Sequence, residues 1–108
     1  MTITINIYYT GKNGNAKKFV EEMEQSGIAQ KIRAEAGNLK YDYFYSVAEP
    51  ETVLLVDQWK SQEALDIHHA TPMMNQIIAL REKYDITMKV ERFTSLEENE
   101  ADRQFIRE

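Results

Sequence analysis

The chain has 108 residues, of which 43% are hydrophobic and 29% are charged, and it contains no cysteine. This composition is typical of one folded domain with a single core, and the lack of cysteine excludes disulfides, thiolate nucleophiles and thiolate metal ligands. The formal net charge is −5, and residues 97–108 hold five acidic side chains against two basic ones. A partner with a phosphate backbone requires a basic face, so we expect no binding to nucleic acid.

The longest apolar runs are only a few residues long, which is too short for a transmembrane helix. The first residues, MTITINIYY, lack the charged start and the continuous apolar stretch of a signal peptide. We therefore expect a cytoplasmic protein with no membrane partner.

The first half of the chain predicts a strand, two helical pieces and a second strand. Residues 1–10 alternate apolar and polar side chains, many of them β-branched, which is typical of a strand. A turn-rich segment, 11–14, leads into a helix with apolar residues at every third or fourth position, and Ser26-Gly27 separates it from a second helical piece, 28–36. Residues 39–47 alternate again and form the second predicted strand.

The second half predicts a strand followed by two helices. Residues 52–59 are apolar on both faces, as in a strand that is covered on both sides. A short helix is predicted over 62–69 and a longer one over 72–83. Thr71 is the expected N-cap of the longer helix, with Pro72 at its first position.

The chain ends in a fourth alternating segment, 85–94, and an acidic tail. We divide the sequence into a folded domain, 1–95, and the tail, 96–108. The tail carries three isolated apolar residues, Leu96, Phe105 and Ile106. Isolated apolar side chains on a charged strip usually dock on a neighbouring surface, so we expect the tail to be partly ordered and to pack against a partner subunit.

The resulting order, βαββαβ, predicts an α+β, ferredoxin-like fold with a four-stranded antiparallel sheet and its helices on one face. Strands that are apolar on both faces require a second cover. Two sheets that pack face to face would supply it, so we expect a homodimer.

One segment, WKSQEALDIHHATP, contains the single tryptophan and both histidines. Chemistry that needs an imidazole must occur here, because histidine titrates near neutrality. His68 follows Ala64 by four residues and Leu65 by three, so it points toward the sheet, whereas His69 lies further round the helix. The alternative is an imidazole that only packs. Adjacent histidines cannot both face one ion, and no carboxylate cluster accompanies them, so we expect no metal site.

Other residues have both structural and functional interpretations. Trp59 is either a core aromatic or a flat wall with an indole N–H donor. Asn6 lies among apolar strand residues, where its amide either bridges the structure or is aimed at a ligand. The tyrosines of the second strand, and Met73 and Met74, fill the core or line a pocket. No glycine-rich phosphate-binding loop is present, so we expect no nucleotide cofactor.

The sequence around this segment resembles the antibiotic biosynthesis monooxygenase family, which includes the quinol monooxygenase-like proteins. The matching residues are GNLKYDYFYSV, an acidic-x-Trp strand end (Asp57, Trp59), Glu63-Ala64-Leu65, His68 and Thr71-Pro72. The similarity covers roughly residues 2–94. It implies a dimeric α+β barrel that oxidises phenolic or quinol-like aromatics with O₂ and no metal or flavin. A related haem-degrading branch would require a tryptophan where His68 stands and a histidine near Ile78, so this resemblance does not imply haem degradation.

The resemblance implies a cofactor-independent monooxygenase in which His68 takes a phenolic proton, while Asn6 and the Trp59 N–H hold the developing oxyanion. The expected substrate-binding residues are Tyr43, Tyr45, Met73, Met74 and Ile78. Two alternatives stay open. One is an isomerase of a small carbonyl compound in which His68 shuttles protons, and the other is a non-enzymatic ligand-binding dimer.

Overall fold

The computed structural model describes all 108 residues, and its elements follow the predicted order with the first helix in two pieces. The elements are β1 (Ile3–Thr10), α1 (Asn15–Gln25), α2 (Ile28–Arg33), β2 (Asn38–Tyr45), β3 (Thr52–Trp59), α3 (Gln62–His69), α4 (Met73–Lys83), β4 (Thr87–Thr94) and a final 3₁₀ helix (Glu100–Phe105).

The four strands form one antiparallel sheet in the order β2-β3-β1-β4. This is the ferredoxin-like α+β arrangement, so the predicted fold class is confirmed. Ile3 pairs with Trp59, Ile5 with Asp57 and Ile7 with Leu55. Because side chains alternate between the two faces of a strand, these residues all project toward the helices.

The core lies between that face and the helices. Large side chains from β1, β3 and the helices are fully buried there: Tyr9, Phe19, Met23, Ile32, Val53, Leu55, Trp59 and Leu65. Apolar positions at helical spacing on α1, the buried positions of α2 and alternate positions on β3 supply this core, as the periodicity predicts.

Two predicted boundaries are wrong near the α3–α4 junction. The N-cap of α4 is Pro72, and α4 begins at Met73 rather than at Pro72. Thr71 does not cap α4, because its hydroxyl donates backward to the carbonyl oxygen of His68 at 2.8 Å. A threonine hydroxyl can bond the backbone at the end of either neighbouring helix. Here it bonds the last turn of α3, at the backbone of His68.

The opposite face of the sheet carries no helix. By strand alternation this open face holds Tyr8, Phe44, Leu54, Val56 and Phe93. Phe44 and Phe93 are 45% and 48% exposed. The single chain leaves this apolar surface uncovered, and the face-to-face homodimer stays a prediction.

The acidic tail forms a short 3₁₀ helix without buried residues. Leu96 and Phe105 are 91% and 82% exposed, and Arg103 pairs with Glu98 and Glu108 inside the tail itself. The tail is therefore partly ordered but does not bury its apolar residues on its own domain, so docking on a partner stays a prediction. None of the helices is long and apolar enough to cross a membrane.

Candidate functional site

The candidate site lies where the end of β3 meets α3. The Ser61 side chain caps α3 by accepting a hydrogen bond from the backbone N–H of Ala64 at 3.1 Å. This cap fixes the rotation of the helix, and His68 then stacks on Trp59 with 4.8 Å between ring centroids and 27° between ring planes. His68 is only 5% exposed, while His69 is exposed to solvent.

The buried imidazole is paired with a carboxylate from the other half of the chain. Nδ1 of His68 lies 2.6 Å from Oε2 of Glu35, which follows the end of α2. When Nδ1–H donates to this carboxylate, Nε2 of the neutral ring carries the free lone pair, and the ring's hydrogen bond to the protein is made through Nδ1. Burial lowers the pKa of His68, and the Glu35 carboxylate opposes that effect. At neutral pH His68 is therefore an unprotonated base with a fixed tautomer.

A tight turn brings Glu35 to this position. Gly37 has a φ of 88°, and a Cβ at Gly37 would stand 2.7 Å from the Cβ of Ala64. Only glycine allows the chain to take this left-handed conformation and to approach α3 so closely. The turn therefore contributes to the site by holding Glu35 near α3.

Asp57 is a second titratable group beside the histidine. Its side chain is 5% exposed, and Asn38 donates a hydrogen bond to its Oδ1 at 3.4 Å. Burial raises the pKa of Asp57 to about 7, while the Trp59 N–H and the Asn38 amide oppose this by favouring the carboxylate. The Trp59 N–H nevertheless makes no hydrogen bond of normal geometry. The carboxyl group is poised to exchange a proton near neutrality.

These groups border a small, partly open cavity of about 40 Å³ between the sheet and α3 and α4. Its lining residues are Ile7, Tyr9, Tyr41, Leu55, Asp57, His68, His69, Met74, Ile77 and Arg81. A larger surface depression of about 480 Å³ lies beside β4, but its single charged side chain, Arg92, is already held by Gln62. The small cavity is therefore the one that brings the titratable side chains Asp57 and His68 together.

The structure brings some of the predicted catalytic residues together and separates others. His68 and Trp59 are stacked, as described above. Asn6 pairs with Val56 and Glu91 and belongs to the open face of the sheet, so it cannot reach the cavity that His68 borders. The alternation of β1 already assigns Asn6 to the face opposite Ile5 and Ile7.

The predicted substrate-binding residues are also divided. Met74 lines the cavity. Tyr43 and Tyr45 instead line a separate groove of about 400 Å³ with Glu24 and Arg33. Of the other two, Met73 packs against the core and Ile78 is 44% exposed, because α4 turns its buried face, with Ile77 and Leu80, in another direction.

Three site residues were not selected from the sequence. Asp57 was visible as a carboxylate on an apolar strand, next to Trp59. Arg81 follows Ile77 by four residues and so shares the buried face of α4, which was a usable signal. Glu35 gave no signal, because its contact with His68 joins two distant parts of the chain.

Comparisons with known proteins agree with this fold. A model of the antibiotic biosynthesis monooxygenase family matches residues 2–80. A Bacillus subtilis (strain 168) protein named "Putative monooxygenase YcnE" is 30% identical over 77 residues, which cover 71% of this chain and 79% of that protein.

Solved structures show the same fold at lower identity. PA3566 from Pseudomonas aeruginosa has a TM-score of 0.76 and 23% identity, with 89% of this chain and 95% of that chain covered. SnoaB, a cofactor-independent oxygenase from Streptomyces nogalater, has a TM-score of 0.75 and 13% identity, with 90% and 95% covered. Because the family model extends from the first strand into α4 and takes in His68, Asp57 and Trp59, this chain belongs to the antibiotic biosynthesis monooxygenase family.

Proposed function

We propose that this protein is a monooxygenase that oxidises an electron-rich phenol or quinol with O₂ and without a cofactor. The observation that carries the proposal is the 2.6 Å contact between half-buried Glu35 and buried His68, which lines the cavity. A neutral imidazole with a free Nε2 is a suitable general base for a phenolic proton. Family membership supports the reaction class, and the name of the structurally similar SnoaB supports the cofactor-independent route.

The first step is removal of the phenolic proton. Nε2 of His68 accepts the proton, and the resulting imidazolium is stabilised by the Glu35 carboxylate at Nδ1. The indole of Trp59, stacked on the imidazole, keeps the ring in place and excludes water from it. In this arrangement Glu35 orients and stabilises the base, while His68 itself touches the substrate.

The oxidation then balances without an external reductant. The substrate anion passes one electron to O₂, and the radical pair combines to form a carbon–oxygen bond and a hydroperoxide. Loss of the hydrogen on that carbon breaks the O–O bond and releases water, so a quinol plus O₂ gives a hydroxyquinone plus water. One oxygen atom of O₂ enters the product and the other leaves as water. The quinol supplies all four electrons that reduce O₂.

The size of the cavity limits how a substrate enters. A volume of about 40 Å³ admits one polar substituent, whereas pockets for whole ligands generally hold about 300–1,000 Å³. An aromatic ring must therefore displace side chains at the edge of the cavity. The exposed His69 and the unbranched, half-buried Met74 are the residues able to move.

A second candidate function, isomerisation of a small carbonyl compound, is favoured by one observation. His68, whose pKa is lowered, and Asp57, whose pKa is raised to about 7, border the same cavity. A neutral imidazole base and a protonated carboxyl acid on one cavity can remove and return protons on neighbouring carbons. This alternative needs no O₂, which separates it from the first.

Oxygen uptake tests the proposal. Purified protein is assayed with a panel of hydroquinones, naphthols and anthrones, with His68→Gln, Glu35→Gln and the matched control His69→Gln measured in parallel. We expect His68→Gln to reduce kcat at least about 100-fold, because general base catalysis contributes about 10²–10⁴-fold, and Glu35→Gln to have a smaller effect.

The outcomes separate the alternatives. Full activity in His68→Gln would refute the proton-transfer role. If no compound supports oxygen uptake, but His68-dependent exchange of substrate hydrogens with deuterated water is seen, the protein is an isomerase. If binding occurs without either reaction, the non-enzymatic ligand-binding dimer is the correct interpretation.

We also propose that the active protein is a homodimer joined through the open face of the sheet. The uncovered aromatic and aliphatic residues of that face support this, since exposed apolar surfaces of this kind mark protein interfaces. Sedimentation velocity at micromolar concentration should show a dimer, and a monomer would refute the proposed interface.

A further inference from the structure

The cavity contains a guanidinium group that nothing in the chain neutralises. Arg81 projects from α4 into the cavity, its Nε is fully buried, and this atom has no hydrogen-bond partner. No carboxylate lies within ion-pair distance of Arg81, whereas Arg33 and Arg103 are each paired with glutamates. Buried donors in native proteins are nearly always satisfied. Arg81 as a whole is half-buried, and its buried, unpaired Nε indicates that a group from outside completes it.

The groups around Arg81 do not supply the missing negative charge. Tyr9, Tyr41, Asp57, His68 and His69 face it from the sheet and from α3. Asp57 is the single carboxyl group among them and makes no ion pair with Arg81, and burial raises its pKa to about 7, so only part of it is charged at neutrality. The positive charge of Arg81 is therefore poorly compensated inside the resting cavity.

Tyr9 adds a second donor at the same place. The Tyr9 side chain is 1% exposed and lines the cavity, and Arg81 is the charged group that acts on its hydroxyl most strongly. A phenolic O–H beside a guanidinium can donate to the same anion. The planar fork of N–H groups on arginine matches a carboxylate better than it matches a neutral hydroxyl or carbonyl.

We propose that Arg81 and Tyr9 form an anion subsite that binds a carboxylate carried by the substrate, which makes the substrate an aromatic acid rather than a neutral quinol. The volume of about 40 Å³ suits a carboxylate group and excludes the ring. The carboxylate is thus the substituent that enters the cavity, and a phenolic hydroxyl on the same ring reaches His68 only after His69 and Met74 at the edge have moved aside. The assignment of the substrate rests on the proposed monooxygenase function, but the anion subsite does not.

Calorimetric titration with benzoate tests the subsite without any turnover. Benzamide is the matched neutral ligand, since it has nearly the same shape and no charge. We expect benzoate to bind at least tenfold more tightly than benzamide, and Arg81→Gln to reduce benzoate affinity at least tenfold. Arg92→Gln is the matched control, because Arg92 lies in the surface depression and contacts Gln62, and it should leave benzoate affinity unchanged.

Three results would overturn the subsite. These are no benzoate binding at millimolar concentration, equal affinity for benzoate and benzamide, or undiminished benzoate affinity in a folded Arg81→Gln protein. If Arg81→Gln does not fold, the comparison of the two ligands on the unaltered protein decides the question, supported by Tyr9→Phe, for which we expect a smaller loss.

Oxygen uptake distinguishes this proposal from the proposed function. Arg81-dependent benzoate binding without oxygen uptake for any acidic phenol would leave the subsite standing and remove the monooxygenase. Oxygen uptake with neutral quinols that is the same in Arg81→Gln would leave the monooxygenase standing and remove the acidic substrate.

Discussion

Replacement of Asp57 by asparagine tests the electrostatics of the site through protein stability. In the folded chain Asp57 is 5% exposed, and burial raises its pKa from 3.8 to about 7. The folded state therefore binds this proton more tightly than the unfolded state does. The resulting stability is fully present below the unfolded pKa and is lost as the pH rises through about 7. Asparagine has the same shape and no proton to lose.

The size of the effect follows from the two pKa values. Their separation of about three units corresponds to about 4 kcal/mol of unfolding free energy across the whole range, at about 1.4 kcal/mol per unit. Of this loss, about 2 kcal/mol occurs between about pH 5.5 and pH 8.5, where the carboxyl of the unfolded chain is already ionised and that of the folded chain is still titrating. Asp57→Asn should avoid that loss.

Urea unfolding of the unaltered protein and of Asp57→Asn at these two pH values measures the effect. The stability of Asp57→Asn relative to the unaltered protein should improve by about 2 kcal/mol from the lower to the higher pH. Taking the difference cancels the titration that both proteins share. Asp66→Asn, at an exposed position of α3, is the control for loss of a carboxylate. A difference that stays constant with pH for Asp57→Asn would refute the raised pKa.

Gly37→Ala should lower the unfolding free energy by more than about 2 kcal/mol in urea titrations, because φ is 88° and the new Cβ would meet Ala64 at 2.7 Å. Gly14→Ala, at a φ of 77° with open space around it, should cost only about 1 kcal/mol, and equal losses would argue against a close approach at Gly37. Deletion of residues 97–108 should weaken dimerisation or lower Tm while leaving ligand chemistry unchanged, and a truncated protein with the same dimer stability would reduce the tail to a solubilising appendage. Val56→Asp should convert a dimer to a monomer in sedimentation velocity, and a persistent dimer would place the interface elsewhere.

The fold was largely predictable because its signals are local. The strand Thr52–Trp59 and the helix Gln62–His69 occur with the predicted bounds, which rested on a run apolar on both strand faces and on the apolar spacing of the helix. The start of α4 was not predictable, because the Thr71 hydroxyl could bond either neighbouring helix end, and it donates to the carbonyl oxygen of His68 in α3.

The site was predictable only in part. Helical spacing was enough to place His68 against the sheet, and strand alternation was enough to place Trp59 beside Asp57. The pairing of His68 with Glu35 depends on the approach of two segments that are far apart in sequence, and no periodicity encodes such an approach. The raised pKa of Asp57 likewise comes from burial by several elements together.

The chain should tolerate insertions poorly at the turn that contains Gly37 and well at the turn between β2 and β3. Glu35 reaches His68 only if the segment between α2 and β2 keeps its length, so an inserted tag there would separate the base from its carboxylate. The exposed turn at 46–50, between β2 and β3, lies at the opposite end of the sheet, about 17 Å along β3 from Asp57. A fluorescent label, an affinity tag or new chain termini can be placed there, and this position would report on the protein without altering its chemistry.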